Sequence, residues 1–127
     1  SPVKLKYLTL QVIFLLEKTI EISLLFDYYG NMLTEKQQET MKLYYYHDLS
    51  LAEIAEKLNI SRQGVYDHLH RGEDILRDYE SKIGLITRYN KFKEKIDNLL
   101  ADINKLEIDN KQKSCLQEKI NDLKKYL

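Results

Sequence analysis

Residues 50–70 read SLAEIAEKLNISRQGVYDHLH, and this stretch decides the fold of the 127-residue chain. Ser50 and Glu53 form a capping-box pattern, which predicts a short helix that ends near Leu58. Ser61 can cap a second helix, and Asn59 tolerates the left-handed backbone conformation that a tight turn between two helices needs. The segment therefore predicts a helix-turn-helix unit.

The apolar positions of this segment agree with that unit. Leu51, Ile54 and Leu58 recur on one face of the first helix, and the small Ala55 suits the point where two helices cross closely. Val65 is the expected inward residue of the second helix. The next inward position is Leu69, because residue 68 is a histidine, so we expect a slightly rotated second helix.

The outer face of the second helix is the candidate nucleic-acid-binding site. Its members are Ser61, Arg62, Gln63, Tyr66, His70 and Arg71. The serine and the free N–H groups at the helix start can hold a phosphate. Arg62 and Gln63 can make bidentate contacts to base edges, and Tyr66 can pack against a sugar or a methyl group. The histidine and the second arginine can reach backbone phosphates.

Acidic residues weaken this assignment and leave a second one open. Asp67 lies among the six candidates, and Glu73 and Asp74 follow closely. A strong duplex-binding protein usually presents a basic face. The alternative is a helix-turn-helix unit that serves as a scaffold, with its outer face solvated or in contact with another protein.

Upstream, apolar spacing predicts a helix over residues 17–29 that is buried on two faces, with Ile20, Leu24, Leu25 and Tyr28 in its main pattern. We expect Gly30 to end it in the left-handed conformation. Thr34 and Gln37 form another capping box, which starts a helix that ends near Tyr46. The tyrosines between residues 28 and 46 favour a packed core and rim over a base-stacking platform.

Downstream, the second helix of the unit has no clear stop before Gly84, and an apolar seam then repeats at three- and four-residue spacing. The seam consists of Tyr89, Phe92, Ile96, Leu99, Ile103 and Leu106. It fails near residues 109–111, which predicts either two helices or one helix with a stutter. The seam either covers the helix-turn-helix core or pairs with a second copy, and we favour a homodimer. The lysines of this arm form either an RNA-facing surface or a solvated polar face.

Composition excludes several protein classes. One proline and four glycines are too few for an all-β sandwich or barrel, and the lone Cys115 excludes a disulfide framework. The net charge is zero, so any nucleic-acid contact must come from a local patch. No catalytic motif, metal-ligand set or phosphate-cradling loop is present, so we expect no enzyme, no metal, no cofactor and no small-molecule substrate. The apolar run before Glu17 is too short to insert into a membrane.

The residues named above resemble the YlxM-like family of small bacterial proteins, which are similar to region four of sigma factors. The resemblance covers about residues 17–85 and is clearest in Leu33–Gln38, Ser50–Ala55 and Ser61–Asp67. It implies an all-α cytoplasmic protein of the signal recognition particle pathway, with nucleic acid (DNA or the particle's RNA) or the particle's GTPase as partner.

The sequence therefore predicts three regions and one fold class. Residues 1–16 are expected to be a non-native N-terminal extension, residues 17–84 a helix-turn-helix domain, and residues 85–127 a C-terminal helical arm. The fold class is all-α, with a helix-turn-helix of the sigma region-four type. The predicted function is that of a small non-enzymatic regulatory protein with a nucleic-acid-binding helix-turn-helix unit. The resemblance implies that it acts in the signal recognition particle pathway or regulates it. The alternatives are an adaptor for the particle's GTPase and a DNA-binding transcription regulator.

Overall fold

The computed structural model describes residues 1–127 as six α-helices without a strand, and 87% of the chain is helical. The helices are α1 (Pro2–Tyr29), α2 (Glu35–Met41), α3 (Leu51–Leu58), α4 (Arg62–Ile83), α5 (Leu85–Asn104) and α6 (Asn110–Leu123). The predicted all-α class is confirmed. The chain divides into two compact units, residues 1–83 and 84–127. None of the helices has both the length and the apolar character that are needed to cross a bilayer.

The helix-turn-helix unit is formed by α3, a short turn and α4. Ser50 Oγ accepts from the Glu53 N–H at 3.1 Å, and the Glu53 carboxylate accepts from the Ser50 N–H at 3.3 Å, so the predicted capping box is present. Asn59 is left-handed, with φ 52° and ψ 47°. The Ile60 N–H then donates to the Ala55 carbonyl at 3.0 Å, which closes the end of α3.

The core of the first unit lies along one side of α4. Val65, Leu69 and Leu76 are buried there, and α1, α2 and α3 all pack against this helix. Gly72 lies in the same stripe. A Cβ at Gly72 would come within 2.8 Å of Met41 Sδ, so α2 approaches α4 closely at this point.

Helix α1 differs from its prediction in length and in its buried face. It begins at Pro2 rather than near residue 17. The apolar side chains between Val3 and Leu16 are exposed. Ile22, Leu25 and Tyr29 are the buried positions, whereas Ile20, Leu24 and Tyr28 are exposed. The prediction of two buried faces was wrong, because only one side of α1 contacts the rest of the unit.

Helix α1 ends at Tyr29, as predicted, but the expected left-handed conformation of Gly30 was wrong. Gly30 has φ −56° and starts a 3₁₀ turn, Gly30–Met32. A Cβ at this position would lie 3.2 Å from the Phe26 ring, so the glycine is suited to a close approach rather than to a positive φ. The next helix, α2, begins with the predicted capping box of Thr34 and Gln37.

A π-helical turn, Lys42–Tyr46, follows α2. The His47 N–H donates to the Lys42 carbonyl five residues earlier, at 3.1 Å. The predicted end of this helical stretch near Tyr46 is confirmed, but the wider turn was not predicted. π-Helical turns are rare, and those that occur are frequently found at functional sites.

The second unit, residues 84–127, is a hairpin of α5 and α6. Ile96, Ile103 and Ile120 form its buried cluster, and Leu100 packs against it. The predicted break in the seam is present: α5 ends at Asn104, and Asp109 caps α6. Part of the seam is thus buried within the arm itself, an arrangement that the sequence analysis did not consider. Cys115 of α6 is exposed.

Asn59 allows a direct test of the turn. We expect Asn59→Ala to lower the free energy of unfolding by about 1 kcal/mol, because alanine pays a steric cost in the left-handed region. Asn59→Gly should stay close to wild type, since glycine adopts this conformation freely. Urea unfolding of the three proteins measures the difference, and an alanine variant as stable as wild type would contradict the role given to this residue.

Candidate nucleic-acid interface

The first three turns of α4 carry the predicted site. All six candidates, Ser61, Arg62, Gln63, Tyr66, His70 and Arg71, are exposed. The buried residues Val65, Leu69 and Gly72 alternate with them along the same helix. The structure therefore brings the predicted residues together on the solvent side of α4, and none is covered within this chain.

The start of α4 is capped as predicted. Ser61 Oγ accepts from the Gly64 N–H at 2.9 Å, and the Ser61 carbonyl accepts from the Val65 N–H at 3.0 Å. The N–H groups of Arg62 and Gln63 come too early in the helix to have an intrahelical acceptor. They point out from the positive end of the helix dipole, where an anion is stabilised.

Two pairs of side chains are ordered on this face. Gln63 Nε2 donates to Asp67 Oδ1 at 3.0 Å, one turn further along α4. The rings of Tyr66 and His70, also one turn apart, have centroids 4.1 Å apart at an interplanar angle of 45°. These contacts restrict the rotamers of Gln63 and Tyr66, so part of the conformational entropy of ordering them is lost before any ligand binds.

The charge of the face is balanced. Arg62 and Arg71 are opposed by Asp67 and Asp74, and all four side chains are exposed. A face of this kind attracts polyanions weakly at long range. Any affinity for nucleic acid must come from the positions of individual donors rather than from net charge.

Glu73, which the sequence analysis counted among the acids near this face, lies on the opposite side of α4. Its side chain is 5% exposed and accepts a short hydrogen bond from the Tyr45 hydroxyl. Lys18 Nζ lies 3.6 Å from Glu73 Oε2, and Arg77 lies at 4.0 Å. Glu73 is buried because it follows Leu69 by four residues and so continues the buried stripe.

This buried cluster links α4 to two other elements. Tyr45 belongs to the π-helical turn and Lys18 to α1, while Arg77 also lies 3.3 Å from Glu21 of α1. A lone buried carboxylate would be costly, so its partners are required for α4 to pack here. The sequence analysis did not identify Tyr45 as a partner of Glu73. The available signal was an acidic residue at a core-facing position of α4, which requires a buried hydrogen-bond donor.

Two phenol groups of the π-helical turn, those of Tyr45 and Tyr46, have raised pKa values. Burial, followed by the hydrogen bond to Glu73, raises the pKa of Tyr45 well above its usual value. Burial and the 2.9 Å hydrogen bond to Asp27 raise the pKa of Tyr46 to about 12. Tyr29, which is buried, donates to Glu80 Oε1 at 2.7 Å. All three hydroxyls donate hydrogen bonds to carboxylates of the same unit. This favours the core-and-rim interpretation of the tyrosines.

Nothing in the chain is arranged as a metal centre. No group of three or more His, Cys, Asp or Glu side chains is placed to hold a metal ion. His68 is partly buried, whereas His70 is exposed and lies against Tyr66. The two residues point to different faces of α4, as their spacing requires.

Comparison with known proteins adds an independent line of evidence. A family model described as "UPF0122: Putative helix-turn-helix protein, YlxM / p13 like" matches residues 16–123. The UPF0122 protein of Halalkalibacterium halodurans is 44% identical over 91 residues, which are 72% of this chain and 84% of the relative. A UPF0122 protein of Caldanaerobacter subterraneus is 50% identical over 78 residues, 61% of this chain and 67% of the relative. One from Listeria innocua is 40% identical over 106 residues, 84% of this chain and 90% of the relative.

The buried cluster predicts unequal effects of two similar substitutions. Tyr45→Phe should lower the free energy of unfolding by about 1–3 kcal/mol, because it leaves the buried Glu73 carboxylate short of a donor. Tyr46→Phe is the matched control and should cost less than about 1 kcal/mol, since Asp27 is exposed and water replaces the lost donor. Chemical denaturation measures both values, and equal losses would argue against a structural role for Glu73.

The same phenols predict a loss of stability in alkaline solution. An unfolded tyrosine ionises near pH 10, whereas folded Tyr45 keeps its proton well above that pH. Its contribution is therefore complete below pH 10 and is lost as the pH rises above it, at up to about 1.4 kcal/mol per pH unit. Unfolding measured between pH 8 and 11 should show a smaller alkaline decline for Tyr45→Phe than for wild type.

Proposed function

Because this chain belongs to the YlxM / p13-like family of helix-turn-helix proteins, we propose that it is a small non-enzymatic regulatory protein that contacts nucleic acid through α4. The proposed contact residues are Ser61, Arg62, Gln63, Tyr66, His70 and Arg71. In this proposal residues 17–84 are the nucleic-acid-binding domain, residues 85–127 are a helical arm, and residues 1–16 are an extension outside both.

One observation carries the proposal. Arg62, Gln63 and Tyr66 are exposed at the start of a helix whose opposite side is buried against three other helices. A recognition helix must present its first turns to the major groove while its other side is held by the domain. Arginine and glutamine have the donor geometry that recognises guanine and adenine edges, respectively.

The proposal also names the pathway in which the protein acts. The resemblance to the YlxM-like family supports a cytoplasmic role in, or regulation of, the signal recognition particle pathway. The nucleic acid is then either the particle's RNA or a DNA site, which would make the protein a transcription regulator.

A second candidate function is that of a protein-binding adaptor that modulates the particle's GTPase without touching nucleic acid. The exposed carboxylates of Asp67 and Asp74 favour it, because they would face the phosphates of a bound duplex. Carboxylates at the edge of a protein interface are common, since the rim is polar and solvated.

Arg62→Ala tests the nucleic-acid contact. We expect this change to weaken binding of labelled particle RNA or of the cognate DNA by about 1–3 kcal/mol, the loss expected for a bidentate contact. Lys57→Ala is the control, because Lys57 is an exposed basic residue in the last turn of α3, outside the proposed face. Fluorescence anisotropy gives the affinities, and equal binding by Arg62→Ala and wild type refutes the assignment.

Salt separates the two candidate functions. Binding through phosphates weakens steeply as salt rises, because counterions are released on binding. A mostly apolar contact with the GTPase changes little. Titrating particle RNA, promoter DNA and the GTPase in turn at two salt concentrations therefore identifies which partner binds and by which kind of contact.

A further inference from the structure

The α5–α6 hairpin is antiparallel, and polar contacts close one of its two sides. The Asn104 backbone carbonyl accepts from Lys113 Nζ at 3.1 Å, and Asn104 Oδ1 accepts from Gln117 Nε2 at 3.2 Å. Lys124 Nζ lies 3.7 Å from Asp97 Oδ1. Higher residue numbers in α6 thus lie beside lower numbers in α5. These contacts also fix which levels of the two helices correspond.

The opposite side of the hairpin is apolar on both helices. With about 100° between successive residues, Phe92 and Leu99 lie on the side of α5 away from Asp97 and Asn104. Leu116 and Leu123 likewise lie on the side of α6 away from Gln117 and Lys124. Because the polar contacts join the two helices on one side, these four apolar residues share the other side, here called the hairpin face.

The hairpin face exposes a substantial apolar surface. Its four side chains, Phe92, Leu99, Leu116 and Leu123, are 39–47% exposed. Together they leave on the order of 300 Å² of apolar surface in water, which is the size at which a patch on a monomer is often functional. Ile96 and Ile103, also in the predicted seam, are already buried inside the hairpin.

We propose that the hairpin face binds the hairpin face of a second copy, so that two chains form a four-helix bundle with a two-fold axis parallel to the helices. In this arrangement α5 of one protomer packs antiparallel against α6 of its partner. The contacts of Asn104 and Asp97 place Leu99 level with residues 118–122 of α6. Leu99 therefore faces the gap between the partner's Leu116 and the partner's Leu123, which is the knob-into-hole arrangement of such bundles.

Charges beside the hairpin face fit a second copy. Asp102 of α5 is level with residues 115–119 of α6, so it faces the partner's Lys119. Both side chains are exposed. Opposite charges therefore meet at this level, and the two-fold axis repeats the pair.

A second copy offers a matching apolar surface by symmetry. An isologous interface uses the same patch twice, so each apolar residue removed from water on one protomer is matched by its equivalent on the other. The proposal does not depend on the contact that α4 makes. It refines the predicted homodimer by replacing most of the seam with residues from both helices of the arm.

Leu99→Asp tests the interface in the full chain. By sedimentation equilibrium we expect wild type to be a dimer at micromolar concentration and Leu99→Asp to dissociate at least tenfold more readily. Met32→Asp is the control, because Met32 is an exposed apolar residue in the first unit. Circular dichroism checks that the hairpin stays helical, which is expected since Leu99 is 47% exposed and lies outside the buried cluster. A monomeric wild type, or a dimer unaffected by Leu99→Asp, overturns the proposal.

A charge exchange tests the arrangement of the helices. Asp102→Lys should weaken the dimer severalfold by placing two lysines together, and adding Lys119→Asp to the same chain should restore it. Restoration supports the pairing of α5 with the partner's α6, because both residues are then matched across the two-fold axis. A double variant that dimerises no better than Asp102→Lys alone contradicts that pairing.

Discussion

The first unit depends on a single constraint, the buried stripe of α4. Three other helices pack against α4, and the close approach of α2 is possible because Gly72 has no side chain. The stripe also includes a carboxylate, Glu73, whose burial requires Tyr45 and the cations of Lys18 and Arg77. The position of α4, and with it the direction in which its outer residues point, follows from these contacts.

Local features of the fold could be predicted from sequence because their causes are local. Two capping boxes and the left-handed Asn59 involve residues within three or four positions of one another, and all three are present as predicted. Helix α1 stops before Gly30 as predicted, but the expected left-handed conformation was wrong, because a glycine suits both a positive φ and a close approach. Here the nearby Phe26 ring decides between them.

Features that depend on distant residues could not be predicted in the same way. The Tyr45–Glu73 contact joins residues 28 positions apart, and Tyr45 lies in a π-helical turn that the sequence did not predict. The buried side of α1 depends on which elements pack against it, and periodicity alone cannot name them. The exposure of the six candidate contact residues could be predicted, because it follows from the 3.6-residue repeat once Val65 and Leu69 are placed inside.

The separation of buried and exposed positions along α4 has a consequence for how such a protein can change over evolutionary time. The side chains that hold the helix in the domain and those that point to solvent occupy different positions of the same repeat. Substitutions at the outer positions change the surface that α4 presents while the folded state keeps its stability, so this surface can change by single steps. The inner positions lack that freedom, and drift there is limited to changes that preserve volume and the shielding of one acidic group.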